Sequence, residues 1–286
     1  MSKPFQRRSR LHFMSRIEKA LTQKKGAGEK GFIPFVMAGD PDIPTSREIV
    51  MLLAEMGADV IEVGVPFSDP IADEPIIQAS SVRALKTGTT IETVLNMIED
   101  VRRRSSVPIV LFSYYNPIYR FGTGDLAKKA AAAGVDGLLV TDVIDDEADA
   151  LSDRLAEQGL DLVSLVSPTT TAERSKRIAE RARGFIYVVA RNAPTGIGTG
   201  TGEAERLVSE LRRNTDLPVA VGFGISTSEQ VREVWSFADA AVVGSAIVAR
   251  VAENPGDPIH PVRELIQELL PPTSLEALAR QQKTGS

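Results

Sequence analysis

Four carboxylates lie close together in the segment EVGVPFSDPIADEP, residues 62 to 75: Glu62, Asp69, Asp73 and Glu74. Glu62 lies inside an apolar run that is typical of a buried strand, and the other three lie in the proline-broken segment that follows. Burial raises the pKa of a carboxyl group because it penalises the charged form, so this position suits proton transfer. A buried acid with only a structural role is costly unless it is paired, which favours a catalytic role for Glu62.

Proton transfer in this chain must rely on carboxylates, Tyr or Lys. Its two histidines, His12 and His260, lie near the chain ends, although histidine is the usual proton carrier near neutral pH. The chain has no cysteine, which excludes disulfides, zinc thiolates and thiol nucleophiles. We expect a cytoplasmic location, because a reducing compartment is the simplest one for such a chain.

The overall charge argues against several classes of partner. The 286 residues carry a formal net charge of −5, and the sequence pI is about 5.3, so neither nucleic acid nor an anionic membrane is expected to bind. The N-terminus is basic until Glu18, which leaves organelle targeting as an alternative. Helical spacing favours instead an amphipathic leading helix built on Leu11, Met14, Ile17, Ala20 and Leu21.

Eight short, β-branched runs alternate with amphipathic helical segments along the chain. The predicted strands cover residues 32–37, 59–65, 108–114, 137–142, 161–167, 185–190, 218–224 and 240–247. Apolar strands separated by helices indicate a parallel sheet covered by helices. Eight such units predict a (β/α)8 TIM barrel with an additional N-terminal helix, as one domain over residues 1–270, followed by a tail over 271–286.

Glycines at the ends of the last two predicted strands indicate a phosphate site. Barrels of this kind place chemistry at the carboxyl ends of their strands and often bind phosphate after strands seven and eight. GSAI also opens a helical segment, whose N-terminus favours an anion. We therefore predict a phosphate held by Gly224, Gly244 and Ser245, helped by Gly196 after strand six; the alternative is that these glycines only form tight turns. The stretch TGIGTGTG, residues 195–202, lacks a P-loop lysine, which favours a lid over a nucleotide loop.

Several of these segments together resemble a known family. FIPFVMAGDPD, EVGVPFSDPIADEPIIQAS, SYYNPI, GVDGLLVTD, TGIGTG preceded by Arg191, PVAVGFGIS and VVGSAIV resemble the α subunit of tryptophan synthase, in the family's order, over roughly residues 10 to 270. The resemblance implies cleavage of indole-3-glycerol phosphate into indole and glyceraldehyde 3-phosphate, with no metal and no cofactor in this subunit. It also implies a β-subunit partner that carries pyridoxal phosphate, in an α2β2 complex.

The resemblance also implies roles for individual residues. Glu62 matches the general acid/base, Asp73 the carboxylate that contacts the indole N–H, and Tyr187 an active-site tyrosine. The remaining matches are Phe35, Phe112 and Tyr114 for the apolar wall of the indole site; Gly196, Phe223, Gly224, Gly244 and Ser245 for the phosphate site; Arg191 and Thr195 for the lid; and Asp69, Asn116 and Pro117 for the β-subunit interface. Two alternatives remain open from the residues alone: an Asx-type turn at Asp69 and barrel packing at Tyr187.

The chain departs from the family pattern near the site. Glu74 stands where the family has glycine after the loop aspartate, and it has no assigned role. If that glycine uses positive φ, Glu74 is strained by roughly 1–2 kcal/mol. The charge of Glu74 is also expected to raise the pKa of Asp73. Ile144 replaces a customary proline at a strand end that meets the β subunit. In the lid, Ala190, Ala193 and Pro194 replace the usual residues, and Pro194 should stiffen a loop that has to close.

These departures keep two alternative functions open beside the synthase subunit. One is a stand-alone lyase that keeps Glu62 and Asp73 and needs no interface. The other is a weakly catalytic subunit that mainly activates a β partner because its own lid is altered.

Overall fold

Eight parallel strands close into a barrel in the computed structural model, which describes residues 14–189, 201–222 and 224–270. The strands follow one another in chain order, and β1 pairs with β8 through the register Gly31↔Ala240 to close the circle. Their bounds are β1 Gly31–Met37, β2 Ile61–Gly64, β3 Ile109–Ser113, β4 Gly137–Val140, β5 Asp161–Val166, β6 Ile186–Val189, β7 Val219–Gly222 and β8 Ala240–Val243. The predicted TIM barrel is therefore confirmed.

Helices cover the outside of the barrel. Their bounds are α1 Arg16–Gly26, α2 Ile43–Glu55, α3 Pro75–Lys86, α4 Ile91–Arg102, α5 Tyr115–Phe121, α6 Thr123–Ala133, α7 Asp145–Ala156, α8 Ala172–Arg181, α9 Thr201–Leu211, α10 Ser228–Phe237, α11 Ser245–Glu253 and α12 Ile259–Leu269. Hydroxyl and carboxylate side chains cap several of them. Thr90 and Thr227, for example, each complete a capping box at the start of α4 and α10.

The last predicted strand is wrong over its second half. β8 ends at Val243 rather than at residue 247. Residues from Ser245 onward form α11, which confirms the prediction that GSAI opens a helical segment. Ile247 and Val248 are buried on that helix, and a short apolar run looks the same in sequence whether it is a strand or a buried helix. The predicted β2 begins too early, because Asp59 precedes the strand and its carboxylate accepts a hydrogen bond from the Phe32 amide at 2.9 Å. The other strands differ from prediction only slightly at their ends.

Alternating side chains divide between the inside and the outside of the barrel. Ile61 and Val63 of β2 pack in the cluster between strands and helices, whereas Val60 belongs to the cluster inside the barrel. Because side chains alternate along a strand, Glu62 points into the barrel with Val60. The fold thus places a carboxyl group in the barrel interior.

The additional N-terminal helix closes the barrel at the end where the strands begin. Ile17 and Leu21 of α1 are buried in the same cluster as Ile33 and Phe185 from the barrel interior. The predicted amphipathic helix is confirmed for these two residues. Met14 lies outside the helix and is 46% exposed, so its predicted place on the apolar face is wrong. Leu11 and His12 lie outside the described residues.

Buried aspartates tie this end of the barrel together. Asp136 accepts from the Ile109 amide at 2.8 Å and pairs with Arg102 at 3.0 Å. Asp239 accepts from the Val219 amide at 2.9 Å and pairs with Arg212 at 3.1 Å. Such pairs satisfy backbone groups between neighbouring strands, as expected for the stabilising face of a TIM barrel. Chemistry belongs to the opposite face.

The single tryptophan also lies at this end. Trp235 of α10 is partly buried, and its Nε1 donates to the Gly31 carbonyl at the start of β1, 2.9 Å away. A helix that precedes the last strand is therefore bonded to the first strand.

Within the described ranges, none of the helices combines the length and apolar character needed to cross a membrane. The division into a barrel domain over 1–270 and a tail over 271–286 stays a prediction, because the tail lies outside the described residues.

Gly39, in the loop after β1, should not tolerate alanine. Its φ is +86°, and an added methyl group would overlap the Thr89 hydroxyl and lie 2.8 Å from Thr89 Cβ. We expect Gly39→Ala to lower the free energy of unfolding by about 2–4 kcal/mol, from left-handed backbone strain and overpacking together. Urea unfolding measures this loss.

Gly88→Ala is the matched control for that substitution. Gly88 has φ +77°, but an added Cβ meets nothing within 4 Å, so only the backbone cost of about 1–2 kcal/mol applies. An equal loss in the two variants would contradict the clash with Thr89.

Candidate active site

Glu62 of β2 lies inside the barrel and is 1% exposed. Its neighbours in register are Phe35 of β1 and Val110 of β3, both apolar. Among the described residues its Oε1 has no hydrogen-bond partner. Burial raises the pKa of Glu62 to about 8, so the carboxyl group holds its proton at neutral pH.

Tyr187 lies on β6, diametrically opposite β2 in the eight-stranded order. Its pKa is raised well above the ordinary value by burial and then by the charges of Glu62 and Glu74, so the phenol stays protonated and these acids lie within electrostatic reach. The hydroxyl lies directly against Gly222 of β7, where a Cβ would overlap it. The missing side chain at Gly222 therefore makes room for Tyr187.

Asp73 lies in the loop between β2 and α3, partly buried and held by the backbone. Its amide donates to the Pro70 carbonyl at 3.1 Å, and its carbonyl accepts from Gln78 Nε2 at 3.0 Å. Burial raises the pKa of Asp73 to about 6, the Tyr114 hydroxyl partly opposes that rise, and the charge of Glu74 adds to it. The carboxylate is therefore mostly ionised at neutral pH, and the expected effect of Glu74 on this pKa is confirmed.

Tyr114 supports this loop with its hydroxyl group. The side chain is 4% exposed, and its oxygen accepts from the Ala72 amide at 3.0 Å. Its ring packs against Phe67 with a centroid distance of 5.3 Å. The resemblance implies only a place in an apolar wall for Tyr114, so this polar contact was not predicted.

Phe35 and Phe112 form an apolar corner beside Glu62. Their rings meet edge to face, with centroids 5.2 Å apart. Phe35 pairs with Glu62, and Phe112 pairs with Gly64 two positions further along β2. Their expected role as the wall of an indole site stays a prediction.

Gly224, Gly244 and Ser245, three of the predicted phosphate residues, follow the neighbouring strands β7 and β8, which pair with each other. Gly224 follows β7 with φ +41°, Gly244 is the N-cap of α11, and Ser245 is the first residue of that helix. Gly196, Phe223, Arg191 and Thr195 lie outside the described residues, as do the lid substitutions at Ala190, Ala193 and Pro194.

Glu74 is not strained, because this position does not use positive φ. Its φ is −65° and its ψ is 152°, because it is the N-cap of α3 and precedes Pro75, where extended backbone is preferred. Its Oε2 accepts a hydrogen bond from Ser245 Oγ at 2.5 Å. The acid without an assigned role thus contacts a predicted phosphate residue, a contact that was not predicted from the sequence.

Comparison with known proteins identifies the family. The family model described as tryptophan synthase alpha chain matches residues 21–276. The chain belongs to this family. The family is one of lyase-type enzymes. Sequence relatives and solved structures named for the same family agree with this match.

Individual relatives extend that match over nearly the whole chain. It is 42% identical to the tryptophan synthase alpha chain of Synechocystis sp. over 259 residues, which cover 90% of this chain and 98% of the relative. It is 47% identical to that of Prochlorococcus marinus over 238 residues, which cover 82% and 86%. The solved tryptophan synthase subunit alpha of Legionella pneumophila superimposes with a TM-score of 0.83 at 33% identity, covering 92% of this chain and 99% of that one.

Three large apolar side chains are exposed on the face around the site. Ile71 is 89% exposed, Tyr119 69% and Ile144 46%, in the segments that follow β2, β3 and β4. Asp69 and Asn116 are exposed beside them, and Pro117 is partly exposed. Ser68 Oγ donates to Asp69 Oδ2 at 2.6 Å, so this aspartate takes part in a local turn contact.

Within the described ranges, no group of three or more His, Asp or Glu side chains is arranged to hold a metal ion. The site consists instead of one protonated carboxyl, one ionised carboxylate, a phenol and a helix N-terminus.

Proposed function

We propose that this chain cleaves indole-3-glycerol phosphate into indole and glyceraldehyde 3-phosphate, as the alpha subunit of tryptophan synthase. The observation that carries the proposal is that β2 and the loop after it carry two carboxyl groups in different environments: Glu62, buried in the barrel with a pKa of about 8, and Asp73, in the loop with a pKa of about 6. Two carboxyl groups with separated pKa values are suited to two different roles at neutral pH.

Glu62 supplies the proton that starts the reaction. Transfer of its proton to indole C3 leaves a cation on the ring and a carboxylate on Glu62. That carboxylate then takes the proton from the hydroxyl of the glycerol carbon attached to C3. The carbon–carbon bond breaks, its electron pair returns to the ring, and indole and the aldehyde result. One carboxyl group thus acts as donor and then as acceptor.

Asp73 stabilises the positive charge that develops at the indole N–H. An ionised carboxylate aimed at a developing cation lowers the barrier most strongly where water is excluded. Tyr114 and Gln78 hold the Asp73 loop, which supports this role because a fixed carboxylate needs no reorganisation during the reaction. Phe35 and Phe112 provide the apolar wall for the ring, and Tyr187 lines the opposite side.

The phosphate group of the substrate binds where β7 and β8 end. Gly224, Gly244 and Ser245 contribute backbone amides and a hydroxyl, and the N-terminus of α11 adds a favourable dipole. Gly196 and Phe223 complete this part of the proposal, and Arg191 and Thr195 belong to the proposed lid.

The partner in this proposal is a tryptophan synthase β subunit that carries pyridoxal phosphate, joined in an α2β2 complex; this subunit itself needs no cofactor. Exposed Ile71, Tyr119 and Ile144 support a protein interface there, since apolar groups gathered on one face often mark interaction sites. Asp69, Asn116 and Pro117 lie on the same face. We place the complex in the cytoplasm, in keeping with the absence of cysteine.

An indole-release assay tests this function. The purified chain is given indole-3-glycerol phosphate with and without a β subunit, and we expect indole release that increases with the partner. Release that is equally fast without the partner would indicate a stand-alone lyase. No release in either case, with substrate binding intact, would indicate a subunit that only activates its partner and would overturn the proposal.

A further inference from the structure

Glu74 directs its side chain away from the helix that it begins. It is the N-cap residue of α3, yet its side chain makes no capping hydrogen bond to that helix. Its Oε2 instead accepts from Ser245 Oγ, the hydroxyl of the first residue of α11. This contact joins residues 171 positions apart and links the loop that carries Asp73 to the proposed phosphate site.

The start of α11 favours an anion, and Glu74 supplies one. Gly244 at the N-cap has no side chain to cap the helix, whose first N–H groups carry partial positive charge. Within the described part of the chain, no lysine or arginine forms an ion pair with Glu74, which accepts instead from a neutral hydroxyl at a helix N-terminus. A phosphate ester, like this carboxylate, is an anion that accepts hydrogen bonds and is favoured at a helix N-terminus.

We propose that Glu74 is an internal competitor for the phosphate site: its carboxylate accepts the Ser245 hydrogen bond that the phosphate of the substrate must take over. This inference rests on the proposed function, which assigns Ser245 to the phosphate group. One hydroxyl proton serves one strong acceptor, so the Glu74 carboxylate and the phosphate compete for the proton of Ser245. Phosphate binding therefore displaces Glu74.

Displacement of Glu74 also affects the catalytic loop. Glu74 directly follows Asp73, and its charge raises the pKa values of both Asp73 and Tyr187. Movement of the Glu74 carboxylate away from Ser245 therefore changes the electrostatic surroundings of both groups. Glu74 sets the affinity for the phosphate end of the substrate and couples that end to the indole end.

A double-mutant cycle tests the competition, with inorganic phosphate as the probe and calorimetric titration as the measurement. We expect Glu74→Gln to bind phosphate about five- to tenfold more tightly than the wild type at low ionic strength, because the competing charge is gone. Glu74→Gly, which removes the side chain altogether, should tighten binding at least as much. In the Ser245→Ala background, Glu74→Gln should change phosphate affinity less than about twofold.

Two outcomes would overturn the proposal. If Glu74→Gln does not tighten phosphate binding, Glu74 does not compete. If it tightens binding equally with and without the Ser245 hydroxyl, its effect is a general charge effect. Glu48→Gln, the same chemical change on the exposed face of α2, serves as the control and should leave phosphate affinity unchanged.

The same experiments separate this inference from the proposed function. Phosphate titration needs no turnover, so a chain that binds phosphate with the expected cycle but releases no indole would refute the lyase and retain the competition. A chain that releases indole with a KM unaffected by Glu74→Gln would refute the competition and retain the lyase. With both proposals correct, Glu74→Gln lowers KM about as much as it tightens phosphate binding.

Discussion

Glu62→Gln is expected to abolish indole release, lowering kcat by about 10³-fold or more, while substrate still binds. General acid–base catalysis by one group contributes about 10²–10⁴-fold, and Glu62 is proposed to act twice in each turnover. Glutamine keeps the shape of the side chain inside the barrel but holds no transferable proton. The measurement is steady-state indole release together with calorimetric binding of indole-3-glycerol phosphate.

A second readout from the same variant separates chemistry from folding. Glu62 has a pKa of about 8 when folded and an ordinary value of 4.5, so the folded chain holds a proton that the unfolded chain has lost between these pH values. Stability of the wild type should fall with rising pH across this window, by up to ~1.4 kcal/mol per pH unit, and Glu62→Gln lacks this contribution. Urea unfolding should therefore show the variant gaining on the wild type from about pH 5 to pH 8.

Glu48→Gln on the exposed face of α2 is the matched control and should leave kcat unchanged. Near-normal turnover in Glu62→Gln would show that another group carries the proton. A loss of turnover accompanied by loss of substrate binding would show that Glu62 acts in binding rather than in proton transfer.

Asp73→Asn is expected to lower kcat/KM by about 10²-fold and to change the shape of the pH profile. In the wild type, kcat/KM should rise with pH through about 6 as Asp73 ionises and fall above about 8 as Glu62 loses its proton. Asparagine is neutral at every pH, so the variant should lose the rise near pH 6 and keep the fall near pH 8. The size of the loss follows from removal of one preorganised electrostatic group.

Asp153→Asn, on an exposed position of α7, is the control for this substitution and should leave the profile unchanged. If the rise near pH 6 persists in Asp73→Asn, that limb belongs to another group, and the assignment of Asp73 to the indole N–H is wrong.

Local pattern was enough to predict the place of Glu62 in the fold. Alternation along a strand decides which side chains face the interior, and Glu62 and Gly64 share one face of β2 in any register. The number of strand–helix units likewise predicted a closed barrel, since eight such units favour it over an open sheet. These conclusions depend on residues near each other in the chain.

The contacts that define the site in detail depend on residues far apart. The hydrogen bond between Glu74 and Ser245 exists only because the loop after β2 and the start of α11 meet at one end of the barrel. The Tyr114 hydroxyl reaches the Ala72 amide across two loops in the same way. Neither hydrophobic periodicity nor composition predicts contacts between residues that are so far apart in the chain. The end of β8 was misjudged for a related reason, since Ile247 is buried by packing of a helix rather than by strand pairing.

The hydrogen bond from Trp235 to Gly31 gives the molecule an optical reporter of its own closure. The chain contains a single tryptophan, so its fluorescence comes from one place, where α10 meets the first strand. β1 and β8 are the first and last strands, and their pairing closes the barrel. Trp235 is hydrogen-bonded to Gly31, at the start of β1, where this pairing begins. Its fluorescence emission therefore reports whether the barrel is closed. The reporter lies at the end of the barrel opposite the proposed active site.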